Sequence, residues 1–309
     1  MSESSGSAGR PVRLAASLDG PRRAPVVVLG NSMGTTRDVW DPQLLALGDG
    51  FRLLRYEHRG HGGSPAPPGP YAIADLAADV LRLLDDFGIE RASYCGISLG
   101  GMIGLWLAAN APDRIDVLGL CCTSAYMPAA AQAYRDRAVH VRRVGMAPVA
   151  AQVVERWFTP AFRGRDPATV AASRAALEGV DPEGYAGCCE AIAAMDQRAS
   201  LAAIVAPTLV IAGAEDPATP PWHGGVIARG IRNSRLMVIR GASHLANVSA
   251  PGEVTAALRA HLLAASGAGR AGRSVVSPET QASREDADRP AAPAPPASPA
   301  RQPTRPAAR

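Results

Sequence analysis

Lysine is missing altogether: each of the 32 basic residues in the 309-residue chain is an arginine. We read this as the coding bias of a GC-rich genome, because bidentate anion binding is not needed at so many sites. A basic patch of the kind that marks nucleic-acid binding is absent too. The formal net charge is +4, and residues 265–309, with seven arginines against four acidic residues, supply +3 of it. The remaining body is nearly neutral, so no nucleic-acid partner is expected. Cysteine is scarce: Cys95, Cys121, Cys122, Cys188 and Cys189 include no C-x-x-C pair, and adjacent cysteines rarely bridge each other for geometric reasons. Buried thiols in a reducing compartment are the expectation. No apolar run reaches the roughly 18 residues of a membrane span, and the first ten residues, MSESSGSAGR, lack a charged-then-apolar leader pattern. A cytoplasmic enzyme without a membrane partner is therefore expected.

An apolar content of 47% with 19% charged residues is that of a chain able to bury a core. Residues 25–30 (PVVVLG) form a β-branched run closed by glycine, as a strand buried on both faces requires. A second run, FRLLRYEHRG, ends its strand near Tyr56 and opens a Gly/Pro/Ser loop over 60–70. The stretch YAIADLAADVLRLLDDFG places Leu76, Val80, Leu83, Leu84 and Phe87 on one helical stripe, with Gly88 as stop signal. ASYCGIS followed by LGGMIGLWLAANAP reads as strand, tight turn and buried helix, and DVLGLCCTS as another strand.

Between about 125 and 201 apolar residues recur at helical spacing and no strand-like run occurs. Alternation returns with PTLVIAGAED at 207–216, a helical stretch to about Ile231, RLMVIRGASH at 235–244 and a final helix over about 251–263. Alternating strands and helices mean an α/β protein with a mostly parallel sheet flanked by helices. The expected organisation is a core over 11–124 and 202–264, an inserted helical cap over 125–201, and a disordered Ala/Pro/Arg-rich tail over 265–309.

The sharpest chemical signal is Gly96-Ile97-Ser98-Leu99-Gly100, a G-x-S-x-G placed after an expected strand and before an expected helix. That context is the nucleophile elbow of the α/β-hydrolase fold, in which a sharp turn exposes the serine hydroxyl at a helix N-terminus. By itself such a pentapeptide is common. A nucleotide-binding reading of GISLGG fails, because the G-x-G-x-x-G spacing is absent.

A hydroxyl needs a base to become a good nucleophile. Of six histidines, His58 and His61 precede Ser98, whereas this fold orders its triad serine, acid, histidine. His140 falls in the cap and His223 follows a Pro-Pro turn better suited to starting a helix. His244, after the strand-like RLMVIR and a Gly-Ala-Ser turn, is the candidate base. Asp216, at the end of TLVIAGAED, is the candidate acid that orients it. Glu215 is adjacent and could serve, while Asp181 and Asp196 sit in the cap and suit helix caps or surface contacts. For the oxyanion hole the Leu99 backbone N–H is one candidate, and the loop Asn31-Ser32-Met33-Gly34 should supply Met33 N–H as the second.

Many hydrolases begin that loop with His-Gly, so Asn31-Ser32 is a departure, and it points to a family. Gly30-Asn31-Ser32-Met33-Gly34-Thr35-Thr36, followed by Val39-Trp40-Asp41-Pro42-Gln43-Leu44, resembles the 3-oxoadipate enol-lactonases of the β-ketoadipate pathway. Arg59-Gly60-His61-Gly62-Gly63-Ser64, Pro67-Pro68-Gly69-Pro70-Tyr71, Arg156-Trp157-Phe158-Thr159-Pro160 and Ala242-Ser243-His244-Leu245-Ala246-Asn247 agree with it, over residues 12–264 in all. The elbow and the R-G-H-G-x-S element are shared across the superfamily; the Asn-Ser loop and the Arg-Trp-Phe-Thr-Pro segment discriminate.

The resemblance implies a small-molecule lactone with a carboxymethyl arm, opened by water to 3-oxoadipate through Ser98, His244 and Asp216, without metal or organic cofactor. It implies a pocket drawing on Asn31, Ser32 and Trp157, although Trp157 serves equally well as packing between cap and core. Arg137, Arg142, Arg143 and Arg156 are candidates for the substrate carboxylate, with nothing in the sequence to choose among them. Some relatives continue into a fused decarboxylase domain, for which this tail is too short. Another carboxylesterase or lactonase, a cofactor-free perhydrolase or a carbon–carbon bond hydrolase would keep the same triad. A binding protein that has lost turnover is a different class, against which stands the presence of all three triad residue types in order.

Overall fold

The computed structural model describes residues 10–271; the rest of the tail expected over 265–309 lies outside the described residues. The described residues up to Ser266 form one compact unit, and residues 267–271 are the end of the last helix.

Seven strands build one sheet: β1 (Ala16–Asp19), β2 (Val26–Gly30), β3 (Arg52–Tyr56), β4 (Ala92–Ile97), β5 (Ile115–Cys121), β6 (Thr208–Gly213) and β7 (Ser234–Ile239). Their spatial order is β1-β3-β2-β4-β5-β6-β7. Only β1 runs antiparallel, pairing Ala16 with Tyr56 and Asp19 with Leu53; every other pairing is parallel. In β4 and β6 every residue is buried, because a strand central to a parallel sheet is covered by helices on both faces. At the edge, β7 leaves Leu236 and Val238 partly exposed.

Helices α1 (Asp41–Gly48), α2 (Ile73–Asp86) and α3 (Leu99–Asn110) alternate with the first strands. In α2 the expected stripe Leu76, Val80, Leu83 and Leu84 is buried, but Phe87 lies past the helix end and is 41% exposed. Gly88 takes φ +65°, the left-handed conformation that ends the run. Between β5 and β6 the chain forms α4 (Ala131–Val144), α5 (Ala147–Glu155), α6 (Pro160–Arg165), α7 (Pro167–Glu178) and α8 (Pro182–Ala194). Thr159, Asp166 and Asp181 cap three of these by accepting backbone N–H bonds, each followed by a proline at the first helical position. Helices α9 (Pro221–Gly230), α10 (Ala246–Ser249) and α11 (Pro251–Ala271) complete the core.

Three elements depart from the sequence reading. The strand β1, whose apolar–polar alternation spans only the four residues Ala16–Asp19, and the helix α1, too short for a long 3.6-residue pattern, are missing from that reading, and α11 runs eight residues past the stop expected at Leu263. Among the described residues no helix is long and apolar enough to cross a membrane, and all five cysteines are free and buried.

Candidate active site

Parallel strands bring their C-terminal ends to one edge of the sheet, where ligands bind in open α/β folds. From this edge Gly30 of β2 leads into the 31–36 loop, Ile97 of β4 into Ser98, Gly213 of β6 into Asp216, and Ile239 of β7 into His244. Chain connectivity through β5 and the five inserted helices separates Ser98 from Asp216 by more than a hundred residues. The sheet brings them back together.

Ser98 adopts φ 53° and ψ −114°, a strained conformation for a residue with a side chain. Its neighbours make the strain tolerable. A Cβ on Gly96 would stand 2.3 Å from the Gly100 carbonyl, and one on Gly100 would stand 2.3 Å from the Gly30 oxygen. Hence neither flank of the elbow tolerates a side chain. The turn is tied down by Ser98 N–H to Cys121 O at 2.9 Å, Gly100 N–H to Asn31 O at 2.9 Å and Thr123 Oγ1 to Ser98 O at 2.7 Å.

Ser98 Oγ lies 2.8 Å from His244 Nε2, and His244 Nδ1 lies 2.8 Å from Asp216 Oδ2. Because a carboxylate only accepts, Nδ1 carries the hydrogen and Nε2 offers its lone pair to the serine hydroxyl. Thr219 Oγ1 donates to Asp216 Oδ2 at 2.7 Å, while Ala218 and Thr219 N–H donate to Oδ1 at 2.8 and 3.1 Å. Burial alone would raise the Asp216 carboxyl. The facing His244 and the hydrogen bonds from His244 and Thr219 outweigh it and hold the group below its ordinary value. Glu215, the neighbouring alternative, takes no part in this chain of bonds: its backbone carbonyl accepts from Ser243 Oγ. Thr219 was not singled out by the sequence; the D-x-x-T spacing of a side-chain turn is its only trace.

The Met33 and Leu99 N–H groups find no protein acceptor among the described residues. The loop that presents Met33 is pinned from below by buried groups. His58 Nε2 contacts Asn31 O at 2.8 Å, Gly34 N–H donates to His61 Nε2 at 2.9 Å, and Arg37 N–H donates to Glu57 Oε2 at 3.0 Å. Burial pushes His58 down to about 3 and His61 down to about 4, so both rings are neutral near neutral pH.

A small chamber of about 30 Å³ above Ser98 is lined by Ser32, Met33, Tyr134, Arg137, Val153, Arg156, Trp157, Tyr185, Ile192, Ala218 and His244. Ser32 and Trp157, two of the three residues expected at a pocket, both line it. Trp157 also holds the His244 loop, since its carbonyl accepts Leu245 N–H at 3.0 Å and the Arg156 carbonyl accepts Ser243 Oγ at 3.0 Å. Asn31 is a correction: it does not line the chamber. Its amide turns into the core and donates to Tyr56 O at 2.7 Å, because the backbone of the loop, not this side chain, faces the sheet edge. Of the four candidate arginines, Arg137 and Arg156 line the chamber. Arg142 is taken up by Glu183 and Glu190 at 2.5–2.9 Å, and Arg143 lies on the exposed face of α4 beside His140. Among the described residues neither Arg137 nor Arg156 has a carboxylate partner. Tyr134, Tyr185, Val153 and Ile192 fall at ordinary helical spacing, and nothing in the sequence marks them as lining residues.

The family model described as the alpha/beta hydrolase fold matches residues 25–251. The chain is 41% identical over 227 residues to 3-oxoadipate enol-lactonase 2 of Acinetobacter baylyi, covering 74% of this chain and 84% of that one. To 3-oxoadipate enol-lactonase 1 of the same organism it is 35% identical over 238 residues, covering 77% and 88%. The crystal structure of the enol-lactonase from Burkholderia xenovorans superposes with a TM-score of 0.79 at 42% identity, covering 81% of this chain and 96% of that one. The chain belongs to the α/β-hydrolase fold family and, within it, to the family of 3-oxoadipate enol-lactonases, hydrolases acting on ester bonds.

Proposed function

We propose that the protein hydrolyses 3-oxoadipate enol-lactone to 3-oxoadipate in the β-ketoadipate pathway of aromatic catabolism, with Ser98 as nucleophile, His244 as general base and Asp216 as its orienter. The observation that carries the reading is the hydrogen-bonded line from Ser98 Oγ through His244 to Asp216, opening on a chamber flanked by two arginines without carboxylate partners. As Ser98 Oγ bonds to the lactone carbonyl carbon, its proton passes to His244 Nε2, and Asp216 steadies the resulting imidazolium. The carbonyl oxygen becomes an oxyanion placed for the Met33 and Leu99 N–H groups, each such donor being worth about 3–4 kcal/mol of barrier.

On collapse the ring C–O bond breaks, the enolate leaves and takes the proton from His244, and the enol tautomerises to the ketone. Water then gives a proton to His244 as its oxygen bonds to the acyl carbon. Breaking the Ser98 ester returns that proton to the serine and frees the new carboxylic acid, which ionises. Since a stabilised enolate leaves readily, the oxyanion hole contributes more to the rate than assistance to the leaving group. Arg137 and Arg156 supply the counter-charge for the carboxymethyl arm.

The test is the loss of the enol-lactone ultraviolet absorbance with the wild-type chain and with Ser98→Ala. Rapid loss in the wild type alone supports substrate and nucleophile together. An inactive wild type that nevertheless hydrolyses simple aryl esters through Ser98 would overturn the lactone and pathway assignment and leave the serine mechanism.

A further inference from the structure

Beside the small chamber lies a second, larger one of about 300 Å³. Its walls are Met127, Pro128, Ala129, Ala130 and Ala133 at the start of the inserted helices, and Pro217, Pro220, Trp222 and His223 from the loop after Asp216 and the start of α9. Tyr134, Arg137, Arg156 and Ala218 line both chambers, so these four residues form the neck between them.

The volumes are unequal in a telling way. About 30 Å³ above Ser98 leaves little free room beside the serine, whereas about 300 Å³ reaches the lower end of the range that holds a drug-sized ligand. A molecule whose reacting carbonyl sits at Ser98 has its bulk at the neck and beyond. There the surroundings are apolar and rigid: prolines, alanines, a methionine, and the Trp222 ring stacked on His223 with centroids 3.5 Å apart. Trp222 is 52% exposed, an unusual state for the largest apolar side chain of a folded protein. His223 is held in place by Ser124 Oγ at 2.6 Å from its Nδ1, so the stacked pair presents a fixed planar wall.

We propose that the outer chamber is a second subsite that takes the aryl or alkyl body of a carboxylate ligand whose charged end sits between Arg137 and Arg156. The inference rests on the reading of those two arginines as the carboxylate site given above. It extends the ligand range from the small lactone to carboxylates, and to esters and lactones bearing a carboxylate, with an apolar body of about the size of a phenylalkyl group.

Calorimetric titration of the full-length protein with butyrate and with 4-phenylbutyrate tests it. The wild type binds 4-phenylbutyrate at least tenfold more tightly than butyrate. Ala133→Trp, an exposed helical position that tolerates the larger residue, fills the outer chamber and removes that preference while butyrate binding stays as it was. Arg137→Gln with Arg156→Gln weakens both ligands by a similar factor. Equal affinities for the two carboxylates in the wild type, or a preference that survives Ala133→Trp, would overturn the proposal. The titration does not involve turnover. Failure to hydrolyse the enol-lactone, measured separately, therefore counts against the proposed function and not against the subsite.

Discussion

At the scale of single residues, the hydroxyl–imidazole–carboxylate line sets the expected losses. Ser98→Ala should lower kcat by at least about 10⁴-fold, since the remaining oxyanion donors and binding contacts retain only a fraction of the acceleration. Asp216→Asn removes the acceptor that fixes the His244 tautomer, and a loss of about 10⁴-fold in kcat is expected with the fold unchanged. Thr219→Val deletes the 2.7 Å bond to Asp216 Oδ2 and the 3.5 Å contact of the same hydroxyl with His244 Nδ1. A hydrogen bond to a charged group is worth about 1.5–3 kcal/mol, so a loss of roughly ten- to a hundredfold in kcat at nearly constant KM is its expected ceiling. Steady-state kinetics with the enol-lactone, alongside circular dichroism, measures all three.

At the scale of elements, the elbow and its supports are limited by space and charge. Gly96→Ala would drive a Cβ to 2.3 Å from the Gly100 carbonyl group, against backbone that cannot give way. Overpacking costs about 1–3 kcal/mol, occasionally more, and urea denaturation should show it together with loss of activity. The R-G-H-G element contributes Arg59, whose Nε and Nη2 bind the buried Asp79 at 2.6 and 2.8 Å and fasten the loop after β3 to α2. Arg59→Met strands the Asp79 carboxylate, and removing one partner of such a pair costs about 3–5 kcal/mol. This element, legible in the sequence only as a family signature, is thus a clamp beneath the site. His61 of the same element accepts the Gly34 N–H.

For the whole molecule, buried neutral histidines couple stability to pH. His58, His61, His223 and His261 all have folded values below the ordinary one, chiefly through burial. The unfolded chain takes up protons near the ordinary histidine value of about 6.5, while the folded chain resists until about 4 at His61 and about 3 at His58. The unfolded state therefore binds more protons across this window, and stability present above about pH 6.5 is lost as pH falls toward 4. Asp216 works with the same sign in a lower window, below the ordinary carboxylate value. Urea midpoints at pH 7, 6 and 5 should fall in that order. His61→Gln, which keeps an acceptor for Gly34 N–H, should show a shallower fall.

Elements whose signals are local and repeated are legible from residue type and spacing alone. The buried runs of β2, β4 and β6, the apolar stripe of α2, and the G-x-S-x-G elbow all follow from period, β-branching and the need for glycine where backbones nearly touch. The triad candidates followed from chain order and from their places after strands. The rest depends on which distant backbones meet, and no local pattern encodes that. Pairing with β3 makes a strand of residues 16–19, whose alternation is only four residues long. Packing of the inserted helices over the sheet edge separates Arg137 and Arg156, at the chamber, from Arg142, bound to Glu183 and Glu190, although all are arginines at unremarkable helical positions. The direction of the loop after β2 turns Asn31 into the core and Ser32 toward the chamber, a choice between adjacent residues that its composition does not make.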